Sequence, residues 1–228
     1  MRKAGILGAA ALAALACSIG CTGSPAKEEV ERHLHSALPD ERGDFYTPGE
    51  GAPPRGVYEF GPVDIVKVSC GSDEERLYIE IEVAEDFPIR EVVAQDGNIV
   101  RKICGWCAVD ADRDPLTGCL SDGGAEALLC FMIDLESGNC DAYFFARPTG
   151  IEEPEERRYS LRGEGTVVGG GPGESRIILA YPLSDLGLRR GMIVNMSFNM
   201  EAESDKWHHF SFDTCPGPTE HGKASFKL

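Results

Sequence analysis

From Val57 onward, apolar and polar positions alternate with a period of two. Leu77, Ile79, Ile81 and Val83 oppose Tyr78, Glu80 and Glu82, the pattern of a strand with one buried and one wet face. Val194, Met196, Phe198 and Met200 repeat it against Asn195, Ser197, Asn199 and Glu201. Further strands are expected at Val63–Ser69, Ile99–Val109, Ala125–Ile133, Cys140–Ala146, Arg157–Leu161, Ser175–Tyr181 and Lys206–Phe212. Stretches such as Gln95-Asp96-Gly97-Asn98, Glu136-Ser137-Gly138-Asn139 and Gly169-Gly170-Gly171-Pro172-Gly173 separate them, and these are turn chemistry. No long helical pattern intervenes, and only Leu183–Leu188 reads as a helical turn. Parallel crossovers need about a dozen intervening residues, usually helical, so the expected fold is all-β, an antiparallel β-sandwich of about nine or more strands. No internal repeat is evident, which removes propellers and solenoids.

The N-terminus follows another pattern. Behind Arg2 and Lys3, the run from Ala4 to Gly20 is uncharged and rich in Ala and Leu, which reads as a secretory signal over residues 1–20. It falls short of the roughly 20 apolar residues of a spanning helix. Ser18-Ile19-Gly20-Cys21 followed by polar residues resembles a bacterial lipoprotein signal, which implies acylation of Cys21 with fatty-acid chains such as palmitate. Ala14-Leu15-Ala16-Cys17 is a second candidate, and plain secretion is the alternative. Residues 21–56, rich in Pro and Gly near their end, read as a flexible tether. Within it Val30, Leu34 and Leu38 recur every four residues, so Lys27–Leu38 is expected to form a short helix, either transient or partner-docking. Residues 57–216 form the sandwich domain and 217–228 a tail.

Charge narrows the partners. Asp and Glu number 38 against 22 Lys and Arg, for a net charge of −16, and loss of Arg2 and Lys3 with the signal takes it to −18. Such a chain is repelled by phosphate backbones, which excludes nucleic acid. Anionic headgroups attract it no better, so any membrane hold comes from the N-terminal lipid. Part of the charge is concentrated in Val109-Asp110-Ala111-Asp112-Arg113-Asp114-Pro115-Leu116-Thr117-Gly118, followed by Gly123-Gly124-Ala125-Glu126. Carboxylates at alternate loop positions suit calcium, which takes six to eight oxygens. The expected ligands are Asp110, Asp112, Asp114, the Leu116 carbonyl and Glu126. The loop is not an EF-hand, since Pro115 stands where that loop needs glycine and Ser121 where it needs Glu. The alternative is that Asp112 and Asp114 only shape a hairpin through Asx-turns.

The acidic loop, the Gly-Ala-Glu that opens the next strand, Tyr181-Pro182-Leu183-Ser184-Asp185-Leu186-Gly187 and an aromatic strand near Trp207–Phe212 together resemble family 9 carbohydrate-binding modules and the related DOMON-like domains. The resemblance covers about Val57 to Pro216, most of the chain after the signal and tether. It implies a β-sandwich that holds a sugar between aromatic rings, for which Trp106, Tyr143, Tyr181 and Trp207 are the candidates. For Trp106 and Trp207 the competing reading, and the commoner one for tryptophan, is a core residue. Haem-binding relatives need axial Met or His, but Met192, Met196, Met200, His208 and His209 show no spacing that singles out a pair, and no organic cofactor is expected.

Nine cysteines suit an oxidising compartment. Apart from Cys17 and Cys21 they are Cys70, Cys104, Cys107, Cys119, Cys130, Cys140 and Cys215. Cys107 and Cys119 bracket the acidic loop, and a disulfide there would clamp it. Cys104-Gly105-Trp106-Cys107 has redox or zinc spacing, but it runs into a strand rather than a helix N-terminus, and no second close CxxC accompanies it. His208 and His209, adjacent in an expected strand, would point to opposite faces. No GxSxG, HExxH or P-loop string marks a catalytic site. The expected function is an exported, lipid-anchored, non-catalytic module of the cell envelope or surface that binds carbohydrate and carries a structural calcium. The alternative is an envelope protein-interaction domain presenting loops such as Gly150–Glu156 or Glu164–Glu174. A redox or hydrolytic enzyme is the third reading.

Overall fold

The computed structural model describes residues 27–40, 60–93, 97–119, 124–147, 161–205, 211–216 and 223–228. These residues form a short helix, α1 (Lys27–Glu31), a 3-10 turn at Gly61–Val63, and thirteen strands. The strands are β1 (Ser36–Pro39), β2 (Ile65–Ser72), β3 (Arg76–Val83), β4 (Val92–Val93), β5 (Ile99–Asp110), β6 (Ala127–Asp134) and β7 (Cys140–Ala146). They continue with β8 (Leu161–Glu164), β9 (Thr166–Gly170), β10 (Arg176–Pro182), β11 (Ile193–Ser204), β12 (Ser211–Cys215) and β13 (Ala224–Lys227). A five-stranded sheet runs β1-β2-β3-β10-β9. An eight-stranded sheet runs β12-β11-β5-β6-β7-β8, with β13 also on β11 and β4 on β5. All pairs are antiparallel, as the expected sandwich requires.

The alternation in the sequence builds the core directly. Val194, Met196, Phe198, Met200 and Ala202 of β11 are all 0% exposed. Facing them across the interior are Val68 and Cys70 of β2, Leu77, Ile79 and Ile81 of β3, and Ile177 and Leu179 of β10. In β5 the register against β11 skips Arg101, with Glu203 opposite Lys102 and Ser204 opposite Val100. That bulge lets Val100 and Ile103 both turn inward despite their odd spacing. Two polar contacts tie the sheets together. The Tyr181 hydroxyl on β10 donates to the Cys130 carbonyl on β6 at 2.8 Å, and the Ile65 N–H donates to the Asp213 carboxylate on β12 at 2.6 Å. In both contacts a buried polar group finds its partner in the opposite sheet.

Both flanks join the body more fully than the sequence pattern suggested. The helix expected to reach Leu38 stops at Glu31, and the chain then forms β1, pairing Ser36 with Cys70 through Pro39 with Lys67. An isolated helix of about 12 residues is marginal, whereas the edge of β2 offers ladder hydrogen bonds. Val30 and Leu34 pack on Tyr78, Ile178 and Ala180, the outer face of the five-stranded sheet. At the other end, residues read as a tail supply β13, with Phe226 and Leu228 each 2% exposed and Phe226 edge-on to Phe198 at 5.7 Å. Of the strand expected at Arg157–Leu161 only Leu161 is described, as the first residue of β8, and of that at Lys206–Phe212 only Ser211 and Phe212, the first two of β12; residues 148–160 and 206–210 lie outside the described residues. Leu183–Leu188 forms a turn closed by the Leu188 N–H on the Leu183 carbonyl at 2.9 Å.

Close packing in the eight-stranded sheet depends on Gly105. It lies opposite Phe131 in the β5–β6 ladder, and the ring of Phe131 covers the space a Cβ at Gly105 would take. Phe131 is 2% exposed, so the ring has nowhere to retreat. Gly105→Ala is therefore expected to cost about 1–3 kcal/mol through overpacking. Urea unfolding measures this, and an unchanged midpoint would contradict the packing described.

Candidate functional site

The inward row of β5 (Ile103, Gly105, Cys107, Val109) sends Lys102, Cys104, Trp106, Ala108 and Asp110 to the outer face of the eight-stranded sheet. Three groups of candidate residues collect there, one around each of Asp110, Trp106 and Cys104.

At the end of β5 is the acidic loop. Asp110, Asp112 and Glu126 each place a carboxylate oxygen within 4.8 Å of the others. Asp110 is 1% exposed; its Oδ2 accepts from Lys223 Nζ at 2.8 Å, while its buried Oδ1 has no hydrogen-bond partner. Glu126 Oε2 accepts from the Ala111 N–H at 2.7 Å. Burial raises the Glu126 carboxyl above its ordinary range; the Ala111 N–H opposes this, and the charges of Asp112 and Asp110 add to it.

Asp114 does not join the group. Its Oδ1 accepts from the Leu116 N–H at 2.9 Å, as Asp112 Oδ1 does from the Asp114 N–H at 2.9 Å, so both make the Asx-turns weighed as the alternative. The Leu116 side chain is 73% exposed at the loop tip. Thr117 was missed in the sequence: its Oγ1 lies 3.0 Å from both oxygens of Asp112 and 3.3 Å from Glu126 Oε1. The glycine of the Gly-Ala-Glu motif has a steric role. Gly124 has φ 89°, and a Cβ there would stand 2.6 Å from the Pro115 Cα.

Farther back along β5 lies an aromatic surface. One outer row runs Asn199, Trp106, Cys130, Tyr143, Glu164 across β11, β5, β6, β7 and β8. Trp106 and Tyr143 thus flank Cys130 two strand spacings apart, about 10 Å. Both are half-buried, as is Phe145, whose ring meets Tyr143 edge-on at 5.7 Å. The Arg162 guanidinium lies over both rings, 5.2 Å from Tyr143 and 5.9 Å from Phe145. Beside them a cleft of about 480 Å³ is lined by residues that include Met132, Asp141, Tyr143, Arg162, Glu164 and Thr166. Of the other two ring candidates, Tyr181 is 1% exposed in the core, bonded to the Cys130 carbonyl, so it presents no ring to a ligand. Trp207 lies outside the described residues. Phe145 and Arg162 had no signal in the sequence, because only the register of β7 and β8 brings them to Tyr143.

The third group is Cys104 with Glu201 and Glu203, whose ligand atoms lie within 4.8 Å of one another. Glu201 is directly across from Cys104 in the ladder, and Glu203 is across from Lys102. Burial, reinforced by the charges of Glu203 and Glu201, pushes the Cys104 thiol up to about 12. Cys107, by contrast, is 3% exposed in the core, so the CxxC sequence is divided between two faces of the sheet and cannot act as a redox pair. The bridge expected between Cys107 and Cys119 is not formed, and the seven described cysteines are all thiols. The parity of β5 turns Cys107 into the core, while Cys119 pairs with Ala125 in an isolated bridge beyond the loop. Cys17 and Cys21 lie outside the described residues.

No family model and no curated protein matches the chain. Among solved structures, a protein of Bacteroides uniformis ATCC 8492 provisionally described as carbohydrate-binding aligns over 91% of this chain and 94% of its own, at 11% identity and a TM-score of 0.39. Nothing of that protein's chemistry transfers to this chain at such a score.

Proposed function

We propose that the protein is a non-catalytic binding module whose outer eight-stranded face takes a carbohydrate. The observation that carries this is the half-buried aromatic set of Trp106, Tyr143 and Phe145 beside a cleft carrying Asp141, Arg162 and Glu164. Ring faces suit the C–H faces of a pyranose, and the carboxylates and guanidinium suit its hydroxyls. The cleft itself is lined mainly by polar groups, so the apolar contact in this reading comes from the rings beside it. Two carboxylates against one guanidinium in the cleft favour neutral sugars over uronates. Titration of the soluble protein with neutral and acidic glycans, followed by calorimetry, tests this. Trp106→Ala or Tyr143→Ala should cost about 2 kcal/mol, roughly 30-fold in Kd. Absence of binding to every glycan would overturn the reading and leave the protein-interaction alternative.

The same module carries a structural calcium in this proposal, held by Asp110 Oδ1, Asp112 and Glu126, with the Thr117 hydroxyl as a neutral oxygen. The buried, unpartnered Asp110 Oδ1 supports it, because leaving such an oxygen unsatisfied costs about 1–3 kcal/mol or more when it is charged. Lys223 supplies countercharge to the other oxygen of Asp110 and leaves Oδ1 to the ion. Excess chelator is expected to lower the thermal midpoint, and Asp112→Asn to abolish that difference. An unchanged wild-type midpoint in chelator would sink the calcium.

Export and anchoring rest on the uncharged run Ala4–Gly20 and the Ser18-Ile19-Gly20-Cys21 sequence. In a bacterial host fed a labelled palmitate, the chain should take up label and Cys21→Ser should lose it. An unlabelled wild-type chain would refute acylation, and label lost only in Cys17→Ser would move the site.

A further inference from the structure

We propose that Cys104, Glu201 and Glu203 form a zinc site on the outer face of the eight-stranded sheet, separate from the acidic loop and independent of the carbohydrate reading. Three strand positions converge: Cys104 on β5, Glu201 directly opposite on β11, and Glu203 two residues further along the same face. Their ligand atoms all fall within 4.8 Å of one another, a span that one ion can bridge with bonds of about 2.0–2.3 Å. Two-residue spacing on one strand with a direct partner on its neighbour is fixed by the ladder rather than by loop conformation. The side chains therefore sit on paired strands rather than on a loop, the placement that holds a site most precisely.

The donor set selects the metal. Sulfur is foreign to calcium and magnesium, which take oxygen, whereas zinc takes thiolate and carboxylate together. The acidic loop, all oxygen, and this site, with its thiol, thus sort hard from borderline ions. A second layer of sulfur surrounds Cys104. Met132 is directly across from it on β6, and Cys130 precedes Met132 by two on the same outer face, close enough to act on the Cys104 thiol electrostatically. Charge agrees as well. Lys102 stands opposite Glu203 and Glu201 is 7% exposed, so a divalent cation there would meet carboxylates partly withdrawn from water, where charge attraction is stronger than at the open surface. Three protein ligands with water in the fourth position would give an open zinc coordination.

Cobalt(II) is the spectroscopic probe, added to the full chain after chelator treatment and dialysis. One equivalent should give a thiolate-to-metal charge-transfer band and tetrahedral d–d bands, both removed by zinc and unaffected by excess calcium. Cys104→Ser should abolish the charge-transfer band, while Glu201→Gln and Glu203→Gln should each weaken cobalt binding roughly tenfold or more. Asp112→Asn should leave the band unchanged. In the wild-type protein, zinc should protect Cys104 but not Cys140 from alkylation, read by peptide mass spectrometry, which keeps the test sound if Cys104→Ser folds poorly. Cobalt binding without a charge-transfer band, a band that persists in Cys104→Ser, or equal alkylation of Cys104 with and without zinc would each overturn the proposal.

Discussion

Strand β5 is the constraint on which the rest depends. Its side chains alternate, so burying Ile103, Cys107 and Val109 leaves no choice about where Cys104, Trp106 and Asp110 go. Each outward residue seeds a different candidate site: a thiol with two carboxylates, an aromatic surface, and the root of an acidic loop. Successive outward positions are about 7 Å apart along the strand. Cys104 and Trp106, at consecutive outward positions, are therefore neighbours on one surface held by a single rigid element. A one-residue slip in the β5–β11 register would turn Trp106 and Asp110 toward the core and Cys107 to the outer face. The packing that forbids the slip is the unbroken inward row of β11, from Val194 to Ala202.

The bulge at Arg101 shows how that register is maintained. Without it, Val100 and Ile103 would face opposite sides and one would lie in water; with it, both are 0% exposed. The bulge also returns the Arg101 carbonyl to the Leu135 N–H at 2.8 Å, so the disruption of the ladder against β11 is partly recovered on the other side. Glycine solves the matching problem of volume. Phe131 and Phe144, neighbours in the core, each lie over a glycine of the adjacent strand, Gly105 and Gly163. Two large rings thereby fit between the sheets without forcing the backbones apart.

The fold class and most strand positions were legible because period two is a local property of the sequence. Cys140–Ala146 matches its expected bounds, and Leu77–Val83 extends by one residue, to Arg76. β1 and β13 were not legible. They are four-residue edges whose pairing with β2 and β11 is decided by what those strands offer, not by their own pattern. The acidic loop was half legible. Clustering of Asp110, Asp112 and Glu126 follows from closeness in sequence, but the diversion of Asp114 into an Asx-turn and the central position of Thr117 depend on the turn conformation. Residues 97 positions apart along the chain, as Glu201 and Cys104, or 17 apart, as Arg162 and Phe145, meet only through ladder register. Alternation could mark Glu201 as outward, yet it could not say which strand would lie beside it. The CxxC spacing misled for the opposite reason: residues three apart share a helix face but are split by a strand.

The two outer faces of the sandwich are built differently among the described residues. On the five-stranded sheet, Arg176 pairs with Glu31 at 3.1 Å, Glu80 at 3.0 Å and Glu174 at 3.8 Å, and Lys27 reaches Glu174 at 3.3 Å. Those contacts fasten α1 over Tyr78 and Ile178, so this face is covered by the chain's own N-terminal segment and its acids meet cations. Individually such half-exposed pairs contribute little, but together with the burial of Val30 they hold the segment in place. The outer face of the eight-stranded sheet instead gathers Glu201, Glu203, Asp141 and Glu164 around rings, with Lys102 and Arg162 as the basic groups of the rows described. Among the described residues, then, α1 covers part of one outer face, while the other gathers carboxylates, the Cys104 thiol and the rings of Trp106, Tyr143 and Phe145 on the alternating positions of β5, β7 and β11.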